Sequence, residues 1–247
     1  MTLFGSTRSR VRQDHALIAP DSFVNCTLPG WEKTDAVVLI SPHMGARFTQ
    51  FLALMNAGAG AQPARGGVER VIYVLEGEVT LHAAKNEHLL TTGGFAFLPA
   101  DGNASLKAKT PARLNVFEKR YVPLAGVAPP ALRFGQEQAV EGVPFLGDAD
   151  AVLKTFLPIE PAFDLAVNLF TFQPGAALPM VEVHVMEHGL LMVEGQGVYR
   201  LADEWYPVQQ GDVIWMASYC PQWFVAMGKS SARYLYYKDV NRDPLQG

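Results

Sequence analysis

The chain has 247 residues, of which 49% are hydrophobic and 18% charged, and its formal net charge is −4 at pH 7. This composition is typical of a globular protein with a sizeable core, and the lack of a basic cluster argues against nucleic acid as a partner. No apolar run is long enough to span a membrane, and the start lacks the apolar core of a signal peptide. Because only Cys26 and Cys220 are present, we expect a cytoplasmic protein with free thiols.

Short apolar runs rich in Val, Phe, Tyr and Leu recur along the chain and end at Gly or Pro. Runs of this length and composition predict β-strands. In chain order they are 36–41, 48–55, 71–75, 95–99, 114–117, 165–172, 189–193, 213–216 and 232–237. One short helix is predicted over 148–155. The pattern indicates an all-β protein.

The pattern occurs twice. Gly77 and Gly195 each close a similar apolar run at an offset of 118, and the same offset relates Gly93 to Gly211. A period this long indicates a duplicated domain. We predict one domain over 1–130 and a second over 131–247, although chain from one half could still complete a sheet of the other. Closure of each sheet into a barrel would remove its exposed edges.

A cluster of polar side chains lies early in the second half. Glu182 and His184 are two residues apart and His188 follows four later, so on a strand all three point to one face. Such a face on apolar strands favours metal binding; the alternative is a half-buried polar face without a ligand.

The spacing around this cluster resembles the first cupin motif. Six residues separate Pro174-Gly175 from Glu182, and six separate His188 from Gly195. Glu182 stands where that motif has its first His, and His188 where it has Glu. The second cupin motif places its last ligand eleven residues after a Gly, and from Gly211 that position is Gln222. Ala217 and Tyr219 depart from this second motif.

Two imidazoles with two oxygen donors suit a divalent ion such as Mn²⁺ or Fe²⁺, with Zn²⁺ or Co²⁺ as further candidates. Four protein ligands on an octahedral ion leave two positions for substrate or water. The offset of 118 relates the four candidate ligands to Ala64, Gly66, Arg70 and Ala104 in the first half. Because none of these is a typical metal ligand, we expect the first barrel to bind no metal.

Tyr234 and Lys238 lie on the last predicted strand at even spacing, together with Tyr236. A lysine that faces a barrel interior is costly unless it meets an anion, such as a substrate carboxylate. The alternative is that this face points to solvent. Tyr199 follows Gly195 by four residues and is expected to line the same cavity.

Together these features resemble the (S)-ureidoglycine aminohydrolase family of manganese-dependent bicupins. The resemblance covers nearly the whole chain and its most specific part is the exchanged Glu/His order with Gln as fourth ligand. Its motifs are Pro29-Gly30-Trp31-Glu32, Lys119-Arg120-Tyr121-Val122-Pro123, Glu182-x-His184-x3-His188-Gly189, Gly195-Gln196-Gly197-Val198-Tyr199 and Lys238-Asp239-Val240-Asn241-Arg242-Asp243.

The resemblance implies two tandem cupin barrels and a reaction in which (S)-ureidoglycine and water give (S)-ureidoglycolate and ammonia. It implies that Glu182, His184, His188 and Gln222 hold Mn²⁺ and that Glu182 and Lys238 are catalytic. It also assigns substrate binding to Tyr199, Gln222, Tyr234 and Lys238. The expected partner is a small molecule, and the expected assembly is a homo-oligomer.

Two other functions remain compatible with the residues. One is another metal-dependent cupin enzyme, such as a dioxygenase or isomerase that acts on a small carboxylate. The other is a non-catalytic binding bicupin, for which both halves should lack ligands.

Overall fold

The computed structural model describes residues 7–83, 85–243 and 245. The strands are β1 Arg10–Val11, β2 His15–Ile18, β3 Trp31–Ile40, β4 Thr49–Ala61, β5 Val68–Glu76, β6 Glu78–Ala83, β7 Asn86–Thr91, β8 Gly94–Leu98, β9 Ser105–Lys107, β10 Ala112–Arg120, β11 Arg133–Gln136, β12 Gly142–Phe145, β13 Asp148–Thr155, β14 Leu165–Phe172, β15 His188–Glu194, β16 Gln196–Leu201, β17 Glu204–Gln209, β18 Val213–Met216, β19 Gln222–Met227 and β20 Ala232–Asp239. Short 3₁₀ helices span Pro20–Ser22, Pro42–Met44 and Glu137–Ala139. The prediction of an all-β fold is confirmed.

None of the helices in the described part of the chain has the length and apolar character needed to cross a membrane.

The strands form two barrels. The first is a nine-stranded sheet in the order β11-β8-β5-β10-β4-β9-β6-β7, with β3 paired to β4. The second combines an eight-stranded sheet, β1-β2-β18-β15-β20-β14-β13-β12, with the three-stranded sheet β17-β16-β19. The predicted tandem barrels are therefore present.

Each half of the chain supplies strands to the barrel of the other half. β1 and β2 join the second barrel, where β2 pairs with β18, and β11 joins the first, where it pairs with β8. The domain boundary near residue 130 therefore remains a prediction about the two halves of the sequence. The barrels themselves do not divide at that residue, because each contains strands from both halves.

Alternation of side chains along the strands produces three separate cores. In β15, Leu190 and Met192 point into the second barrel, whereas Leu191 points to the contact between the barrels. β5 behaves in the same way, with Ile72 and Val74 inside the first barrel and Val71 at the contact. The two barrels therefore pack sheet against sheet through a shared apolar layer, which stabilises their relative position.

The predicted helix over 148–155 is wrong, because these residues form β13. The two-residue turn Leu146-Gly147 has φ angles of 51° and 88°. Positive φ at both positions is the geometry of a type I′ hairpin turn, and it directs the chain back along β12. Pairing with β14 then places Leu153 opposite Phe170. The sheet contacts outweigh the weak helical preference of this segment.

Candidate active site

A cavity of about 170 Å³ opens inside the second barrel. It contains every residue that the sequence assigned to the site. Its lining consists of Phe145, Leu153, Phe170, Glu182, His184, Met186, His188, Leu190, Tyr199, Met216, Gln222, Tyr234, Tyr236 and Lys238. The apolar members were not anticipated, and two of them, Phe145 and Leu153, come from the hairpin that includes the segment interpreted as a helix.

The segment that precedes β15 is not the continuous strand that the spacing suggested. Only Glu182 forms a bridge, in which its N–H donates to the Gln222 carbonyl at 2.8 Å and its carbonyl accepts from the Gln222 N–H at 3.0 Å. The chain bends at Val185, and regular pairing begins at His188. The bridge sets Glu182 and Gln222 side by side at the cavity wall.

The two histidines converge on the same point. The Nε2 atoms of His184 and His188 are 3.3 Å apart, and the Gln222 side-chain amide lies 2.9 Å from His184 Nε2. A carboxylate oxygen of Glu182 is 4.0 Å from that nitrogen. Two donors bound at about 2.1 Å to one ion, at right angles, are about 3 Å apart, so the imidazole pair fits a shared ion. Rotation of the Gln222 amide would present its oxygen to the same point.

The environment keeps both imidazoles in the form that binds metal. Burial lowers the pKa of His184, and burial together with the neighbouring His184 lowers the pKa of His188 well below its ordinary value. Both rings are therefore neutral near pH 7 and have a free lone pair. Burial raises the pKa of Glu182, although the nearby Lys238 ammonium opposes that shift.

The strand β20 presents its polar residues to the cavity. Tyr234 and Tyr236 are buried, and Lys238 lies opposite His188 in the register of β15 and β20. The solvent-facing alternative for this face is therefore wrong. Burial lowers the pKa of Lys238, and the Glu182 carboxylate counteracts this. Burial also raises the pKa values of Tyr199 and Tyr234, so both phenols stay protonated and can donate hydrogen bonds.

The turn between β18 and β19 holds a strained residue. Tyr219 has a φ of 64°, in the left-handed region that favours glycine, and it stands where the cupin motif has its second Gly. Its N–H donates to the His184 carbonyl at 2.7 Å. A costly backbone conformation is thus coupled directly to a residue of the site. The following Cys220 is buried, which raises the pKa of its thiol to about 11 and makes it unreactive near neutrality.

A second group of possible ligands lies outside the cavity. The ligand atoms of Asp14, His15 and Cys220 are within 4.8 Å of one another. Both ring nitrogens of His15 already have partners, because Nδ1 lies 2.9 Å from Asp14 and Nε2 lies 2.9 Å from the Tyr206 hydroxyl. With a protonated thiol beside it, this group is a satisfied structural network.

Comparison with known proteins agrees with the fold. Residues 168–237 match the family described as "Cupin domain", and residues 45–121 match that described as "EutQ-like cupin domain". The chain is 44% identical over 244 residues to the (S)-ureidoglycine aminohydrolase of Arabidopsis thaliana, which covers 98% of this chain and 80% of the relative.

A bacterial relative gives the same result. The (S)-ureidoglycine aminohydrolase of Escherichia coli (strain K12) is 36% identical over 236 residues, covering 92% of this chain and 89% of the relative. The solved structure of protein Ylba from E. coli superimposes with a TM-score of 0.85 at 33% identity, covering 96% of each chain. The chain therefore belongs to the (S)-ureidoglycine aminohydrolase family of bicupins.

Proposed function

We propose that Glu182, His184, His188 and Gln222 hold a divalent metal ion, Mn²⁺ by preference, and that this cavity is where the chain hydrolyses (S)-ureidoglycine. The products are (S)-ureidoglycolate and ammonia. The activity follows from family membership, since relatives of this name match at 36–44% identity over nearly the whole chain. That match is the observation on which the proposal depends.

The donor set supports the choice of metal. Two neutral imidazoles with carboxylate and amide oxygens suit Mn²⁺. Among the residues that the structure describes, none that lines the cavity supplies a thiolate of the soft type preferred by structural zinc sites. An ion bound there would supply Lewis-acid polarisation and a point of attachment for a substrate amine and carboxylate.

The residues of the cavity suggest how the substrate is held. Lys238 forms no hydrogen bond or ion pair within 7–83, 85–243 and 245, so its ammonium is available for the substrate carboxylate. The phenols of Tyr199 and Tyr234 would donate to the ureido group, and Gln222 would contact the substrate as well. Three fixed contacts, to the carboxylate, the amine and the ureido group, would hold one enantiomer with a defined face of its carbon open to attack, which would account for stereospecificity.

Glu182 is the proposed proton carrier. Burial raises its pKa, although Lys238 opposes that shift. Its carboxylate would accept a proton from the attacking water and donate it to the departing amino group, which leaves as ammonia. Its position beside His184 and opposite Gln222 keeps it at the reacting end of the cavity.

We also propose that the enzyme works in the cytoplasm as a homo-oligomer. Cys26 and Cys220 are both free, as expected in a reducing compartment. Large apolar side chains on both sides of Glu182 in the sequence are exposed, with Met180 at 58% and Val183 at 55%, and a second copy could cover them.

The test is ammonia release from freshly generated (S)-ureidoglycine by protein stripped of metal and then titrated with Mn²⁺. We expect activity to rise with Mn²⁺ and to saturate at one ion per chain. Failure to release ammonia at any Mn²⁺ level would contradict the assigned reaction, and full activity in the stripped protein would contradict the metal site.

A further inference from the structure

Arg47 lies between the 3₁₀ helix Pro42–Met44 and β4, and it contacts residues of the second barrel that adjoin the candidate site. Its backbone N–H donates to both carboxylate oxygens of Glu187 at 3.3 and 3.0 Å, and its Nε donates to the same carboxylate at 3.2 Å. Its Nη2 lies 2.6 Å from Asp239 and also donates to the Ser218 hydroxyl at 2.9 Å. One side chain thus joins three segments of the second barrel.

These segments flank the proposed site residues. Glu187 directly precedes His188, and Asp239 directly follows Lys238. The two residues are also joined directly, because the Glu187 backbone N–H donates to the Asp239 carboxylate. Trp215 Nε1 donates to the Glu187 carboxylate at 2.7 Å. Glu187 is 2% exposed, so this network is enclosed.

Phe48, the next residue of the first barrel, contacts the other neighbours of the same two site residues. Its ring stacks on Tyr237, with centroids 4.1 Å apart. It also fills the space where Gly189 lacks a side chain, since a Cβ there would lie 2.4 Å from the ring. Phe48 therefore packs against the residue before Lys238 and the residue after His188.

These contacts surround two facing site residues, His188 and Lys238. His188 and Lys238 lie opposite each other in the sheet and point into the cavity, whereas the residues on both sides of each point to the first barrel. His188 is the first residue of β15 and follows an irregular segment. Regular strand pairing therefore continues only on its C-terminal side.

We propose that Arg47 is a positioning residue, through which the first barrel sets the placement of His188 and Lys238 at the proposed metal and substrate site. The inference rests on the proposed function for the identity of that site. The first barrel would then contribute to the reaction by positioning residues of the second barrel, although its own residues at the corresponding ligand positions are Ala64, Gly66, Arg70 and Ala104. A displacement of about 1 Å at a reacting geometry costs about a hundredfold in rate, so loss of this restraint should be measurable.

The test compares Arg47→Ala with Arg113→Ala. Arg113 also belongs to the first barrel and also forms an ion pair, at 3.1 Å to Glu76, but it lies away from the site. We expect Arg47→Ala to weaken Mn²⁺ binding and to lower kcat by about tenfold or more. Arg113→Ala should match the wild type, and Arg47→Lys, whose single ammonium cannot serve both carboxylates as the guanidinium does, should fall between.

Mn²⁺ affinity is measured without turnover, by chelator competition and by the Mn²⁺ spin-resonance signal. Wild-type affinity and kcat in Arg47→Ala would overturn the proposal. If that variant does not fold, wild-type values in Arg47→Lys would overturn it instead.

Amide exchange of residues 182–189 in metal-free protein gives an independent readout. It should quicken in Arg47→Ala and stay unchanged in Arg113→Ala. If the wild type binds no Mn²⁺ or has no activity, the proposed function fails, and the exchange comparison still decides whether Arg47 orders this segment.

Discussion

Arg70 and His188 occupy the same position in the two barrels. Arg70 pairs with Glu118 and Leu98 in the first sheet, and His188 pairs with Lys238 and Met216 in the second. Arg70 Nε donates to Glu118 at 2.7 Å, and its guanidinium lies 4.9 Å from the centroid of the Trp31 ring. The first barrel thus has an ion pair beside an aromatic ring at the position where the second barrel has a candidate metal ligand.

Glu118→Ala should destabilise the first barrel, because it leaves the buried Arg70 guanidinium without its carboxylate. We expect a loss of about 1–3 kcal/mol, in the range for a hydrogen bond to a charged group. Denaturant unfolding measures it. Glu76→Ala removes a matching but exposed ion pair and should change stability little. Equal losses in both variants would show that the Arg70 pair contributes no more than a surface contact.

Glu182→Ala should abolish ammonia release while the protein stays folded. The side chain lies at the cavity and contributes little to core packing, and we expect kcat to fall at least about a hundredfold. Circular dichroism checks the fold, and Glu87→Ala, a remote carboxylate, serves as control. Unchanged turnover in Glu182→Ala would remove this residue from the proposed mechanism.

Lys238→Met should weaken substrate binding and at the same time stabilise the protein. The ammonium is partly buried and burial lowers its pKa, so an apolar side chain of similar length is better suited to the resting cavity. We expect KM to rise about tenfold or more and the melting temperature to stay equal or increase. A lower melting temperature with unchanged KM would indicate a structural role.

The buried Glu69 should make stability depend on pH. Burial, then the neighbouring Asp164, raises the pKa of Glu69 from 4.5 to about 9, although Lys119 opposes the shift. Between these values the folded state binds more protons than the unfolded chain, so the free energy of unfolding falls as pH rises. The slope is at most about 1.4 kcal/mol per pH unit.

Glu69→Gln removes this titration. The wild-type melting temperature should therefore fall more between pH 6 and pH 9 than that of Glu69→Gln, as calorimetry can measure. The exposed Glu87→Gln should follow the wild type. Parallel curves for all three proteins would show that Glu69 is ionised in the folded state.

Local patterns predicted much of this protein. Each of the nine apolar runs overlaps a strand, and 165–172 and 213–216 coincide with β14 and β18. Strand alternation placed Tyr234 and Lys238 on one face, and the spacing of Glu182, His184, His188 and Gln222 identified the cluster that the structure brings together. The strand predictions succeed because burial of one face of a strand imposes a period of two on the sequence. The cluster of candidate ligands was found from motif spacing, since residues 182–187 do not form a continuous strand.

Two strands were missed although the burial of their side chains alternates, because residue polarity does not follow that alternation. Trp205 in β17 and Met227 in β19 are apolar side chains at exposed positions, whereas Gln222 in β19 is polar and buried. A third strand, β13, was interpreted as a helix. Their conformation depends on pairing partners distant in sequence, as in the pairing of β13 with β14.

The sequence by itself determined the duplication, the all-β class and the chemical set of candidate ligands. Only the tertiary structure decided which chain completes each sheet and what holds the site in place. Arg47 and Glu187 are 140 residues apart, and Arg8 reaches Asp212 across 204 residues. Such contacts form when segments distant in sequence meet in the folded protein. They impose no local period on the chain, so sequence patterns do not predict them.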